Sequence, residues 1–459
     1  MLETSVHSNS KLKNKLNMSI IYLPIGRKTF DLEAGEKYRA ESEAWLTEMC
    51  EKVISPSEIL TSVEELEQFL SEIHSNDIDV IIYQSVTFAD AEFIAKTIEK
   101  LPQQVIVWSV REPSVGGRLR LNSLTGGNST CHTLKVHNRS YRFVFGNPTE
   151  SALQKRIYRY LKTEEVVKKL AQLTIGVVGD HPPGFYFSST DEKELEERTG
   201  VHIQNIDLLE AFKKCAELPK EEWLQAVERA EKQVIGLNRS DETVIKFAQF
   251  YTYIKNIIEN EGINALAVRC WPEFFNELGA AACSTLSQFT EDGVVSSCES
   301  DIHGSISMFI LQEFGGSAPY LGDLVHLNEE NNSVTFWHCG AGAYSLANPK
   351  TGATAGVHPN RKLGFTMEFG LKAGAVTIAR LSKNEEGYRM LIMKGEALDT
   401  PQQFAGTSVE VRLPKNASET LYHLMEDGVE PHYAIVYADI EEQLIDLSKR
   451  LGIETIVYA

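Results

Sequence analysis

The chain has 459 residues, 42% hydrophobic and 24% charged, an ordinary composition for a soluble globular protein of two or three domains. Its formal net charge of −19 argues against a general nucleic-acid binder or a protein held on anionic membranes, because both need a basic surface, whereas a small anionic substrate needs only a local basic pocket. No stretch approaches the length of uncharged apolar residues that a membrane span needs, and seven scattered cysteines without a C-x-x-C pair or a secretory h-region read as reduced thiols of a cytoplasmic protein.

Residues 1–17 are polar and read as a frayed tail. From 18 to 170, strand-like and helical patterns alternate. S-I-I-Y-L-P-I is followed by a helical stretch from Tyr38 to Ile54 and by V-E-E-L-E-Q-F-L-S-E-I. The strand D-V-I-I-Y-Q-S, the helix A-D-A-E-F-I-A-K-T-I and the strand Q-V-I-V-W-S-V come next. Such alternation implies β-α-β units on a parallel sheet. The segment R-E-P-S-V-G-G-R-L-R-L-N-S-L-T-G-G-N reads as a loop after a strand end, where open α/β sheets place ligands.

A helix from about Glu150 to Lys169 leads to a second α/β domain over 171–323. It opens on L-T-I-G-V-V-G-D and continues through V-H-I-Q-N-I-D-L-L-E-A-F, a helix over 242–260 and the strand A-L-A-V-R-C-W. From 324 to 459 the segments S-V-T-F-W-H, G-A-V-T-I-A-R-L, Y-R-M-L-I-M-K-G and S-V-E-V-R-L are short and β-rich. The expected fold is α/β, with two doubly wound parallel-sheet domains followed by a C-terminal antiparallel sheet or barrel.

Glu299, Asp323 and His432 are the candidate centre. Glu299 follows the apolar strand V-V-S-S-C, and a carboxylate at a strand end is a frequent ligand or catalytic position. Asp323 follows P-Y-L-G and alone reads as a turn residue. His432 and His338 stand on apolar strands, where a satisfied structural role competes with ligation. His303 adds a further ligand type in E-S-D-I-H, which has no zinc spacing. Oxygen-dominated ligation with one imidazole favours Mn²⁺ or Mg²⁺ over zinc. The chain has no P-loop, no G-x-G-x-x-G and no G-x-S-x-G elbow.

The run E-S-D-I-H-G-S-I-S-M-F-I-L-Q-E-F-G-G-S-A-P-Y-L-G-D, with P-H-Y-A-I-V and F-W-H-C-G later, resembles the L-fucose isomerase and L-arabinose isomerase superfamily. The resemblance runs from about residue 18 to 459. It implies a metal-dependent aldose–ketose isomerase working by enediol proton transfer, with Glu299 and Asp323 as catalytic carboxylates. It implies Glu299, Asp323, His432 and His338 as ligands of Mn²⁺ or another divalent cation such as Mg²⁺ or Co²⁺. R-C-W is similar to a substrate-pocket strand, which implies Arg269 and Trp271 as sugar contacts. A homo-oligomer with pockets at subunit interfaces is also implied.

The superfamily includes enzymes for L-fucose, D-arabinose and L-arabinose, and related members act on sulfoquinovose. Arginine-bearing loops at Arg27 and Arg118 suit an anionic 6-substituted aldohexose of the sulfoquinovose kind, because a guanidinium holds oxyanions through charge-assisted hydrogen bonds. The contrasting class is a non-catalytic sugar-binding module, which would not need the carboxylate–histidine set.

Overall fold

The computed structural model describes residues 15–458, so most of the expected tail lies outside the described residues. Leu16 and Asn17, assigned to that tail, already belong to the first strand. The chain divides into two compact units, Met1–Glu165 and Val166–Ala459, with the boundary inside the helix Ser151–Leu170.

The first unit is built on a parallel sheet of β1 (Leu16–Ile25), β2 (Cys50–Ile54), β3 (Val80–Ser85), β4 (Gln104–Ser109) and β5 (Tyr141–Phe145), in the order β2-β1-β3-β4-β5. Every residue of β3 and β4 is buried. Burial on both faces is why these strands read as unbroken apolar runs.

Two expectations change here. The helix expected over Tyr38–Ile54 spans Leu32–Met49, with Asp31 capping it by accepting from Ala34 N at 3.0 Å. Residues Cys50–Ile54 instead extend and pair with β1. The Gly/Arg-rich segment after Val110 is not all loop, because the helix Ser123–Val136 carries its T-G-G-N. Gly126 and Gly127 serve close packing: a Cβ on Gly127 would collide with Ser109, and one on Gly126 would press on the Phe88 backbone.

The second unit joins two sheets. A four-stranded parallel sheet contains β6 (Thr174–Val178), β7 (His202–Ile206), β9 (Ala265–Val268) and β10 (Ser296–Cys298), in the order β10-β9-β6-β7. The short β8 (Val234–Ile235) belongs to the other sheet. That sheet also holds β11 (Tyr320–Asn328), β12 (Ser333–His338), β13 (Ala353–Gly356), β14 (Thr366–Gly370), β15 (Gly374–Asn384), β16 (Gly387–Ala397), β17 (Thr407–Arg412), β18 (His432–Val436) and β19 (Glu454–Val457).

Six of its strands close an antiparallel barrel in the order β16-β15-β18-β11-β12-β17, sealed where Glu396 and Ala397 of β16 pair with Arg412 and Val411 of β17. Closure removes free strand edges. The core runs continuously between the two sheets: Leu266 and Val268 of β9 share one buried cluster with Phe336 of β12 and Ile435 of β18. Against the expected boundary at 323/324, β11 already begins at Tyr320. Gly322 therefore lies within a strand, where a Cβ would meet the Tyr320 ring and Phe336.

Candidate active site

Backbone pairing brings the distant side chains together. Asp323 on β11 lies directly opposite His432 on β18 and, on its other side, opposite Trp337 of β12. His338 ends β12. Glu299 comes from the parallel sheet, one residue beyond the end of β10. Glu299 and Ser300 both adopt positive φ, 59° and 53°, a region that costs a non-glycine residue about 1–2 kcal/mol. Such held strain is concentrated at functional positions.

His432 is the hub. Its Nε2 lies 3.3 Å from Glu299 Oε2 and 3.4 Å from Asp323 Oδ1, yet this buried nitrogen makes no hydrogen bond. Its Nδ1 is 2.9 Å from Asp301 Oδ2. That contact puts a proton on Nδ1, so that in the neutral ring the Nε2 lone pair faces the carboxylates, an assignment made from hydrogen-bond geometry. Burial pulls the imidazole down, but the hydrogen bond it gives to Asp301 and the nearby carboxylates of Glu299 and Asp323 outweigh it and carry its pKa to about 10.

Asp301 is the residue that the sequence left among several candidates in E-S-D-I-H. It is fully buried and caps the helix Ile302–Gly315 by accepting from Gly304 N at 2.9 Å. Arg380, buried on β15, grips both of its oxygens, with Nη2 at 3.0 Å from Oδ1, and has Glu430 3.9 Å away on its other flank. Burial alone would raise the Asp301 pKa, yet Arg380 and His432 together push it far below the carboxylate range. A Cβ at position 304 would collide with the Asp301 carboxylate, so the glycine of D-I-H-G makes room for this pair.

His338 behaves differently from His432. Its Nδ1 accepts from Cys339 N at 3.0 Å, which leaves the proton of the neutral ring on Nε2. That Nε2 is buried without a partner. Asp323, His338 and His432 offer ligand atoms within 4.8 Å of one another. With its ring neutral, His432 joins Glu299 and Asp323 in presenting acceptor atoms suited to a hard or borderline divalent ion, whereas a neutral His338 presents a donor. It would join such an ion as a ligand only by giving up its bond from Cys339. The carboxyl of Asp323 is itself raised, chiefly by burial, with Glu299 adding to the effect against the two histidines.

Glu299, Asp323 and His338 open into a cavity of about 240 Å³, shared with Trp271, Asn360 and Arg361. Behind His338 the thiol of Cys339 sits 3.4 Å from that of Cys283. All seven cysteines are free, as expected.

Residues 357–458 match the family described as L-fucose isomerase, C-terminal domain. Over 443 residues the chain is 65% identical to "Sulfoquinovose isomerase" of Priestia aryabhattai, covering 96% of this chain and 99% of that protein. Proteins of the same name from Alkalicoccus urumqiensis and Clostridium sp. (strain MSTE9) are 54% and 37% identical, each again covering 96% of this chain and 99% of the relative. The chain belongs to the sulfoquinovose isomerase family. It is accordingly an aldose–ketose isomerase of the L-fucose isomerase type, and the non-catalytic sugar-binding alternative falls away.

Within this isomerase the four predicted substrate contacts have separate fates. Trp271 lines the cavity. Arg269 is committed to a two-pronged pair with Glu273, at 2.7 and 2.6 Å, and is not part of the cavity wall. Arg27 and Arg118 belong to the other compact unit, where Arg27 is paired with Asp90 and Arg118 donates to Thr29 O at 2.6 Å. His303 meets Thr190 Oγ1 at 3.1 Å and the Tyr388 ring, apart from the ligand cluster. No helix among the described residues is long and apolar enough to cross a membrane.

Proposed function

We propose that the chain interconverts sulfoquinovose and sulfofructose by enediol proton transfer at a divalent cation held by Glu299, Asp323 and His432. The observation that carries the metal reading is His432 Nε2, buried between two carboxylate oxygens without a hydrogen bond, where a divalent cation would take the place of the ring's second proton. Buried nitrogens rarely stay without a partner, and a second carboxylate behind a ligating histidine is the usual support for metal binding. The substrate reading rests on the names of relatives that match this chain almost end to end.

A divalent cation bound here would polarise the sugar carbonyl and steady the charge on its oxygen as C2 loses its proton. The chain's own groups do the rest. One carboxylate of the Glu299/Asp323 pair takes the proton from C2 and returns it to C1. His338 Nε2–H is placed to donate to a substrate oxygen. Asp301 and Arg380 fix the His432 ring. Homo-oligomeric assembly belongs to the same reading and rests on the family resemblance.

The test is turnover of sulfoquinovose by the purified protein with Mn²⁺ and after chelation, with product followed by NMR. Activity that needs the metal, with Glu299→Gln and Asp323→Asn losing turnover even at saturating Mn²⁺, is expected. Full turnover by the chelated protein, or by Glu299→Gln with metal bound, overturns it.

A further inference from the structure

The cavity wall carries charges of both signs. Glu299 and Asp323 are its carboxylates, and Arg361 is the lone arginine or lysine on the wall among the described residues. Arg361 is set apart from other arginines of this unit. Arg269 is neutralised by Glu273 and Arg380 by Asp301. No carboxylate among the described residues lies within ion-pair distance of Arg361. Its guanidinium instead rests over two aromatic rings, 5.6 Å from the centre of Trp271 and 5.8 Å from that of Phe275. Stacking of this kind holds the planar group in place while leaving its N–H fork open for hydrogen bonding.

The turn that carries it is pinned. His358 N donates to Leu363 O at 2.8 Å and Lys362 N returns to His358 O at 2.9 Å. His358 Nδ1 accepts from the backbone N–H groups of Asn360 and Arg361, each at 3.3 Å, and its ring packs edge-on against Phe275 at 5.0 Å.

From these features we infer that Arg361, positioned by the His358 turn and the Trp271–Phe275 shelf, is the specificity-determining residue for a singly charged oxyanion at the far end of the sugar, the C6 sulfonate. The inference rests on the isomerase reading given above. Charge balance supports it. Two carboxylates offset a divalent cation at the reacting end, and the one remaining fixed charge on the wall is the guanidinium. A sulfonate carries one negative charge and offers the paired oxygens that a guanidinium fork grips. A phosphate dianion would leave one charge uncompensated. A neutral C6 would leave the guanidinium without its partner.

The experiment compares the wild-type protein with Arg361→Gln and Arg361→Lys, metal-loaded, on sulfoquinovose, glucose 6-phosphate and the neutral 6-deoxyglucose. Wild-type turnover of sulfoquinovose is read first. If the wild type converts only neutral sugars, the substrate reading and this inference fall together. With that activity established, Arg361→Gln is expected to raise KM for sulfoquinovose roughly 10- to 100-fold, in line with one charged hydrogen-bond pair, with a much smaller effect on kcat. Its kcat/KM falls far less on 6-deoxyglucose than on sulfoquinovose, and Arg361→Lys recovers part of the loss. Methanesulfonate should inhibit the wild type competitively and the glutamine variant far more weakly. An unchanged KM for sulfoquinovose in folded Arg361→Gln, or an equal loss on the neutral sugar, overturns the inference. Wild-type preference for glucose 6-phosphate over sulfoquinovose overturns the singly charged assignment.

Discussion

Asp323 and His432 face each other across the antiparallel β11–β18 pair, and the aspartate Oδ1 stands 3.4 Å from the histidine Nε2. The register of two strands thus sets the spacing of the two proposed ligands, with no loop involved. Sites carried on paired strands hold their geometry through the sheet's own hydrogen bonds. Glu299 arrives from the other sheet, so the centre forms only when the parallel sheet and the barrel pack against each other.

Asp301 reaches this centre through His432. Asp301→Asn leaves one acceptor oxygen where two are used, by the Gly304 N–H and Arg380 on one side and by His432 and Arg380 on the other, and takes away the charge that Arg380 pairs with. Metal affinity should fall roughly 10- to 100-fold. Stability should drop by about 3–5 kcal/mol, the usual result of breaking one side of a buried ion pair. Calorimetric metal titration and urea denaturation measure the two separately. A variant as stable as the wild type would contradict the pairing.

Metal binding should be pH-dependent through His432. In the metal-free protein its pKa stands at about 10, above the ordinary 6.5. The stabilisation from its protonated form is fully present below about pH 6.5 and is lost as pH rises through 10. A cation at Nε2 requires the neutral ring, so binding expels a proton at neutral pH. Affinity should rise roughly tenfold per pH unit between about 7 and 9. Calorimetry in buffers of different ionisation enthalpy counts the released proton. Affinity that is flat across this range would exclude His432 as a ligand.

Sequence patterning exposed the strand–helix alternation and the β-rich C-terminal part, because buried parallel strands and short antiparallel ones leave different apolar patterns. It misplaced Asp323 as a turn residue, since Y-L-G-D looks like a turn until Gly322 is seen to make room for Phe336. Glu299, Asp323 and His432 became a set only through family resemblance, as their meeting depends on strand register. The partnership of Asp301 with Arg380, 79 positions away, has no local trace. Arg361 hid in H-P-N-R-K, a polar turn that reads as surface charge. The denser arginine loops at 27 and 118 drew attention by charge alone, and Arg27 proved to be paired within its own unit.

His338 and His432 should separate on mutation. His338 keeps its Nδ1 on the Cys339 N–H, so the role proposed for it is donation from Nε2. His338→Gln should retain bound metal at the wild-type stoichiometry while lowering kcat by about 10²–10⁴-fold, the range for a lost proton donor. His432→Gln should lose the metal. Elemental analysis beside steady-state kinetics decides between them. Metal lost from both variants would make His338 a ligand after all.

His303 supplies a second, acid-side dependence. Its ring is buried against Tyr388 with Nε2 on Thr190. Burial, helped by Arg380 and opposed by Asp301, lowers its pKa to about 4. The unfolded chain binds this proton near pH 6.5 and the folded chain only near 4. Stability should therefore fall as pH drops through that window, by roughly 3 kcal/mol from this group. His303→Gln gives up the titration. It should be less stable than the wild type at pH 7, because the packing against Tyr388 changes, but its stability should decline less between pH 6.5 and 4. Urea denaturation at pH 7, 5.5 and 4.5 measures both slopes, and parallel slopes in the two proteins would mean that His303 is charged in the folded state.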